Sequence, residues 1–256
     1  MRWSVNPRSS WNFTPDEFAW VWEAETGADA VPFPISILET PSTTAEYARY
    51  RAEVSVRYPR HGDPDLTGPL RALADPDLRI VSWGRFHHSD VRLRALGAAS
   101  GDLGVVLSQK PGTAADSGGD LRLVVTRPGH LGGHLAATLP PVAAGAAGSM
   151  TAPTPRVRGE GPAGSWLRDD MAQRSVEERV RALLRAPRSA EGYLRIERGP
   201  REQLRPAAHL TWFDVELDTR AGGRYLVDVD DSETVVTAVS AEELAAQITR
   251  RAESGG

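Results

Sequence analysis

His130 and His134 stand four residues apart, the spacing that brings two imidazoles to one side of a helix and so within reach of a metal ion. A zinc site needs more than that pair. Gly132 and Gly133 lie between the histidines and weaken a helix there, and no nearby glutamate completes a zinc-protease pattern. They read as solvent-exposed histidines at a helix end. His87 and His88, beside Phe86, have the side chain that titrates near neutral pH, but they read as polar turn residues and not as general bases. Asp228, Asp230 and Asp231 have the carboxylate density of a calcium loop without its glycine or its distal glutamate. No G-x-S-x-G elbow, phosphate-cradling glycine loop or dinucleotide fingerprint occurs. The absence of cysteine removes thiolate ligands, a cysteine nucleophile and any disulfide. The expectation is a protein with no catalytic residue, no metal ligand and no cofactor.

Charge points away from nucleic acid as well. Residues 174–205 hold nine arginines, but five glutamates are mixed among them, as on a solvated helix face, and Tyr193 is the one interleaved aromatic. The whole chain has 256 residues, 40% of them hydrophobic, and a formal charge of -4. That length allows one large domain or two small ones with a buried core. No apolar run approaches the roughly 20 residues that span a bilayer, and the opening MRWSVNPRSS lacks the apolar core of a signal peptide. An ordinary soluble protein is the expectation, and the lack of cysteine permits a reducing compartment. The near-exclusive use of arginine over lysine reflects coding bias and not chemistry.

The elements that would position any site are legible in the periodicity. Thr14, Pro15 and Glu17 form a capping box before the stripe Phe18, Val21 and Trp22; Thr43 and Glu46 cap a second helix carrying Tyr47, Tyr50 and Val54; Leu66, Leu70 and Leu73 mark a third. Four strands follow, at 78–83, 91–96, 103–108 and 121–126, and then a short helical segment at 130–139. Four more strands are expected at 192–198, 210–217, 224–229 and 234–239, with Ser240 and Glu243 capping a last helix whose stripe is Leu244 and Ile248. Helix ends in the two halves read alike, LRALADP against VRALLRAP. The order therefore predicts an internal duplication. Its fold is α+β, an antiparallel central sheet flanked by helices and built from two subdomains related by a pseudo-twofold axis, at residues 1–141 and 165–252. Residues 142–164, rich in Ala, Gly and Pro, are expected to form an exposed flexible linker, with a smaller flexible loop at 111–119. Residues 165–185 have a helical pattern.

Residues 186–199 (APRSAEGYLRIERG), 211–225 (TWFDVELDTRAGGRY) and 237–244 (TAVSAEEL) resemble the C-terminal half of the ESX secretion-associated EspG family of actinobacteria. Residues 13–22, 62–80 (GDPDLTGPLRALADPDLRI) and 135–141 (LAATLPP) are similar to the matching N-terminal half. The resemblance implies a cytosolic chaperone of the type VII secretion system. It also implies a shared central sheet that, in mycobacterial members, grips with the C-terminal helices the tip of a helical-hairpin substrate, a PPE protein paired with a PE protein. A homo-oligomer is left open, and the alternative is an α+β binding module with a regulatory or small-molecule role.

Strand alternation then marks the expected partner-binding face. Residues out of phase with the core are Arg79, Trp83, Arg92, Arg94 and Arg122 in the first half, and Tyr193, Arg195, Trp212, Asp214 and Glu216 in the second. Arg79, Trp83, Arg92, Arg94, Tyr193, Arg195, Trp212 and Asp214 are taken as the contact set, because aromatics interleaved with arginine have the composition of interface hot spots.

Overall fold

The structure, a computed structural model, describes residues 9–38, 40, 43–112, 114, 116–160, 175–200 and 206–253. After the short strand β1 (Ser10–Phe13), the Thr14 hydroxyl accepts from the Glu17 amide at 3.2 Å and the Glu17 carboxylate accepts from the Thr14 amide at 2.9 Å. This reciprocal cap starts helix α1 (Pro15–Thr26), and the same box at Thr43 and Glu46 starts α2 (Thr44–Arg57). Asp63 caps α3 (Pro64–Ala74). The strands β2 (Leu78–Phe86), β3 (Arg92–Ser100), β4 (Leu103–Pro111) and β5 (Gly118–Thr126) follow, and then α4 (Leu131–Ala136). The second half runs β6 (Met150–Pro153), α5 (Thr154–Arg158), α6 (Val176–Leu184), β7 (Arg188–Arg198), β8 (Ala208–Val215), β9 (Gly223–Val229), β10 (Glu233–Ala238) and α7 (Ala241–Glu253).

All ten strands join one antiparallel sheet in the order β1-β5-β4-β3-β2-β7-β8-β9-β10-β6. Read outward from the central β2–β7 pair, the order is the same on both sides: a strand, its three successors, and an edge strand contributed from earlier in that half. The helices repeat too, with α3 and α6 before the strands and α4 and α7 after them. The two halves are thus related by a pseudo-twofold axis through the seam, where the ladder runs from Leu78 opposite Arg198 to Phe86 opposite Ala190.

Both faces of the sheet carry core. On one, Ile80, Leu194, Leu210 and Leu226 pack beneath Leu135 of α4 and Leu244 and Ile248 of α7. Helices α4 and α7 cross closely because position 132 is glycine: a Cβ there would lie 2.4 Å from the Ala245 carbonyl oxygen. The glycines that weaken this helix in isolation are what let it dock. On the opposite face the cover is split. Phe18, Leu70 and Leu73 of α1 and α3 bury Val81, Leu96, Leu107 and Leu121, whereas Val180 and Leu183 of α6 bury Phe213, Val215 and Tyr225.

Residues 142–160 differ from the expected exposed linker. Strand β6 adds to the edge of β10, with Met150 opposite Val236 and Ala152 opposite Thr234, and Met150, Ala152 and Thr154 are buried. Before it, the chain crosses the sheet pinned to Arg224, whose amide donates to the Ala143 carbonyl at 2.8 Å and whose carbonyl accepts from Gly145 at 3.0 Å. Main-chain pairing, which composition does not reveal, ties this stretch down. Residues 161–164 of the expected linker, and 165–174 of the expected helix, lie outside the described residues. In the 111–119 stretch, the hairpin end is held by Ser36, whose carbonyl accepts from Gln109 Nε2 and from the Gly118 amide, each at 2.9 Å.

Glu25 locks the far end of α1 to the α2–α3 connection. Its carboxylate accepts from the His61 amide at 2.6 Å and from the Thr67 hydroxyl at 2.8 Å, and it lies 2.9 Å from His61 Nδ1. His61 is held in the left-handed region, at φ 54. Burial pushes the Glu25 carboxyl up, but the bonds from His61 and Thr67 outweigh it, so the folded value lies below the ordinary 4.5. A depressed carboxylate stabilises the fold above its unfolded pKa, and that contribution is lost as pH falls through the folded value. Glu25→Gln is therefore expected to cost on the order of 2 kcal/mol near neutral pH and much less in acid. Denaturant titrations across the carboxylate range check this, and an equal loss at every pH would contradict it.

Candidate functional site

Because the cover on the α1/α6 face is split, a strip along the β2–β7 seam is left between the two helical layers. The register decides what it displays. Trp83 pairs with Tyr193 on one side and Arg94 on the other, and Tyr193 in turn pairs with Thr211. The next rows of the same face place Arg79 beside Glu197, Val81 beside Arg195, and Arg85 between Arg92 and Glu191. Strand pleating sends all these side chains to one side. Trp83 and Tyr193 are half-buried, with ring centroids 5.8 Å apart and planes inclined at 33°.

The charges around this ring pair are organised by two glutamates. Glu197 accepts from Arg79 Nε at 2.6 Å and pairs as an ion with Arg195, whose Nη2 stands 2.6 Å from it. Glu191 receives Arg85 Nε at 2.8 Å and also holds Arg188, with His87 Nε2 at 3.4 Å. Burial raises the Glu191 carboxyl, but the bonds and charges of Arg85 and Arg188 overcome this and hold it below the usual carboxylate range. Arg94 is buried; desolvation and the neighbouring Arg92 lower its pKa while Asp116 opposes them, and a guanidinium stays charged through such a shift. Arg188 also stacks over the Phe213 ring, 4.6 Å from its centroid.

Six of the expected contact residues thus share this strip: Arg79, Trp83, Arg92, Arg94, Tyr193 and Arg195. Trp212 and Asp214 do not. Both lie on the α4/α7 face, where Trp212 is 1% exposed and Asp214 0%. Trp212 sits opposite Gly192, which is itself opposite Gly84, and the indole fills the slot those glycines leave. A Cβ at Gly84 would stand 2.7 Å from Trp212 Cζ2, and one at Gly192 2.8 Å. The expected phase failed because the end of β8, Trp212 to Val215, is buried on both sides, so its alternation there separates two cores and not core from solvent.

Asp214 has a partner the sequence reading missed. Arg224, also 0% exposed, donates from Nε to Oδ1 and from Nη2 to Oδ2, each at 2.7 Å, and Nη2 donates again to the Pro140 carbonyl at 2.9 Å. Its guanidinium carbon stands 5.3 Å from the Trp212 ring centroid. Burial pushes the Asp214 carboxyl up, against the pull of Arg224. The only sequence signal was an arginine out of phase with Tyr225 and Val227, which becomes a pair only when β9 is registered against β8.

Arg122 likewise points to the α4/α7 side. With Asn12, Phe86, Leu93, Ser108 and Leu139 it lines an open cleft of about 920 Å³. Glu216 lies beyond the end of β8 and meets His88 Nε2 at 2.9 Å in an exposed contact. His130 is exposed at the start of α4, and His134 is half-exposed on it. Among the described residues no group of three or more His, Cys, Asp or Glu is arranged to hold a metal ion.

A family model for EspG matches residues 14–250 of the chain. No curated protein sequence matches it. Among solved structures it is similar to the Mycobacterium tuberculosis type VII secretion system chaperone EspG5 in complex with a PE25–PPE41 dimer. The identity is 14%, the match covers 93% of this chain and 94% of that chain, and the TM-score is 0.57. At that identity the likeness is one of fold.

Proposed function

The chain belongs to the EspG family, and we propose that it is a cytosolic chaperone or adaptor that binds a helical-hairpin type VII secretion substrate, PE/PPE-like, and keeps it soluble for export. It acts by stoichiometric binding, without nucleotide or metal. The observation that carries this reading is the half-buried Trp83–Tyr193 pair, which among the described residues belongs to neither of the two helix-covered cores of that face. Large aromatics partly shielded and ringed by arginine are the anchors of protein interfaces. Arg79, Trp83, Arg92, Arg94, Tyr193 and Arg195 form the contact set. The similar EspG5 is in complex with a PE25–PPE41 dimer in its own structure, which is consistent with a PE/PPE-like partner. No helix among the described residues is long and apolar enough to cross a membrane.

The two halves, residues 1–141 and 165–252, each supply one strand of the central pair, with 142–164 joining them. The surface therefore exists only in the joined protein, which works as one unit. Co-expression with a PE/PPE-like pair from the same organism tests the proposal, read as recovery of the pair in a soluble complex of fixed stoichiometry. Trp83→Ala is expected to weaken that complex by about 1 to 3 kcal/mol while leaving the melting temperature nearly unchanged. Unaltered affinity in a folded Trp83→Ala variant would move the site elsewhere.

A further inference from the structure

The strip carries far more positive charge than the chain around it. Arg79, Arg85, Arg92, Arg94, Arg188 and Arg195 are met by Glu191, Glu197 and, at Arg94, Asp116. The whole chain has a formal charge of -4, so this is a local excess in an acidic protein. The arrangement also leaves donors open. Among the described residues Arg79 donates to Glu197 from Nε, Arg195 meets Glu197 through Nη2 as an ion pair, and Arg92 makes one long contact, 3.5 Å, to the carbonyl of its neighbour Val91. A guanidinium has five N–H groups, so each of these arginines keeps most of its donors for a ligand.

The glutamates matter for how those donors are presented. An unpaired arginine on a surface samples many rotamers, and ordering it on binding costs conformational entropy. Here Glu197 spans Arg79 and Arg195, and Glu191 spans Arg85 and Arg188, so four guanidiniums are held in place before any partner arrives. Two carboxylates orient four cations without neutralising them.

We propose that the strip selects a helical tip in which carboxylates flank an apolar side chain, the apolar group resting on Trp83 and Tyr193 and the carboxylates taking the open donors of Arg79, Arg92 and Arg195. This rests on the chaperone reading and deepens it by naming the chemistry of the partner. Acidic residues next to the apolar end steer the encounter and fix its orientation, and the aromatic pair holds the complex afterwards. A polynucleotide is disfavoured as occupant by the acidic balance of the chain and by the single aromatic pair, too small a platform for successive bases.

The experiment is stopped-flow association with the co-expressed substrate pair, for the wild-type protein and for R92Q/R195Q, at roughly 50 and 500 mM salt. The expected result is an association rate that falls about tenfold or more with salt, falls similarly in R92Q/R195Q at low salt, and recovers in R92K/R195K, with dissociation changed much less. Replacing the tip carboxylates of the substrate by amides is expected to have the same effect as R92Q/R195Q. Association indifferent to salt and to both sets of changes, with Trp83→Ala still weakening the complex, would overturn acidic selection and leave the chaperone reading standing. If no substrate pair is retained at all, both fall. Tighter binding of an oligothymidylate than of the substrate pair, lost in R92Q/R195Q, would replace the acidic tip with a single-stranded nucleic acid.

Discussion

Trp212→Ala is expected to lower folding stability by about 3 to 5 kcal/mol, the range for truncating a large aromatic in a core. The indole is 1% exposed, occupies the slot over Gly84 and Gly192, and sits in the same buried cluster as Leu194 and Leu226 on neighbouring strands. Collapse cannot fill the hole, because the two residues beneath it have no side chains to move in. Guanidinium denaturation with an unchanged slope would measure the loss, and a cost below about 1 kcal/mol would contradict the slot. The same variant separates stability from binding. Trp212 does not reach the β2–β7 strip, so whatever fraction remains folded should bind substrate as the wild type does.

Asp214→Ala has an expected cost of similar size, about 3 to 5 kcal/mol, for a different reason. Its removal leaves the Arg224 guanidinium charged, wholly buried and bound on one side only by the Pro140 carbonyl. The damage should spread, since Arg224 also pins residues 143–145 through its own amide and carbonyl. Hydrogen exchange would show it as lost protection in that crossing and in β9. Converting both partners, Asp214→Leu with Arg224→Met, is expected to restore most of the stability, because an apolar pair carries no desolvation penalty. A double variant as unstable as Asp214→Ala would mean that the Pro140 and main-chain contacts, and not the charge, set the cost.

The capping boxes at Thr14, Thr43 and Ser240, the eight main strands and the duplicated order were all readable from spacing, because they depend on residues near one another in the chain. Arg79 and Trp83 could be set on one face with Tyr193 and Arg195 for the same reason: each lies an odd number of residues from the buried Ile80 or Leu194 on its own strand and is itself less buried. What failed depends on distant partners. Trp212 and Asp214 look like wet-face residues until β7 and β2 bring Gly192 and Gly84 under one and β9 brings Arg224 to the other. Likewise nothing in MTAP announces a strand, and Met150–Pro153 becomes one only where the edge of β10 offers unpaired main-chain groups. Glu191 and Glu197, which orient the arginines of the strip, were passed over because a glutamate on a mixed-charge strand carries no mark of how many guanidiniums it will gather.

The β2–β7 seam also has a consequence in time. During synthesis the first half is complete once α4 has been made, yet the strand that pairs with the free side of β2 comes only much later, after β6, α5 and α6. Until then β2 is an open edge bearing nine residues' worth of unpaired main chain, alternately apolar, the kind of template that recruits strands from other chains. Closing it requires a contact distant in sequence, which slows folding. Arg79 and Arg85, displayed along that edge before their glutamates exist, would then act as gatekeepers, keeping two half-made molecules from zipping together on the ribosome.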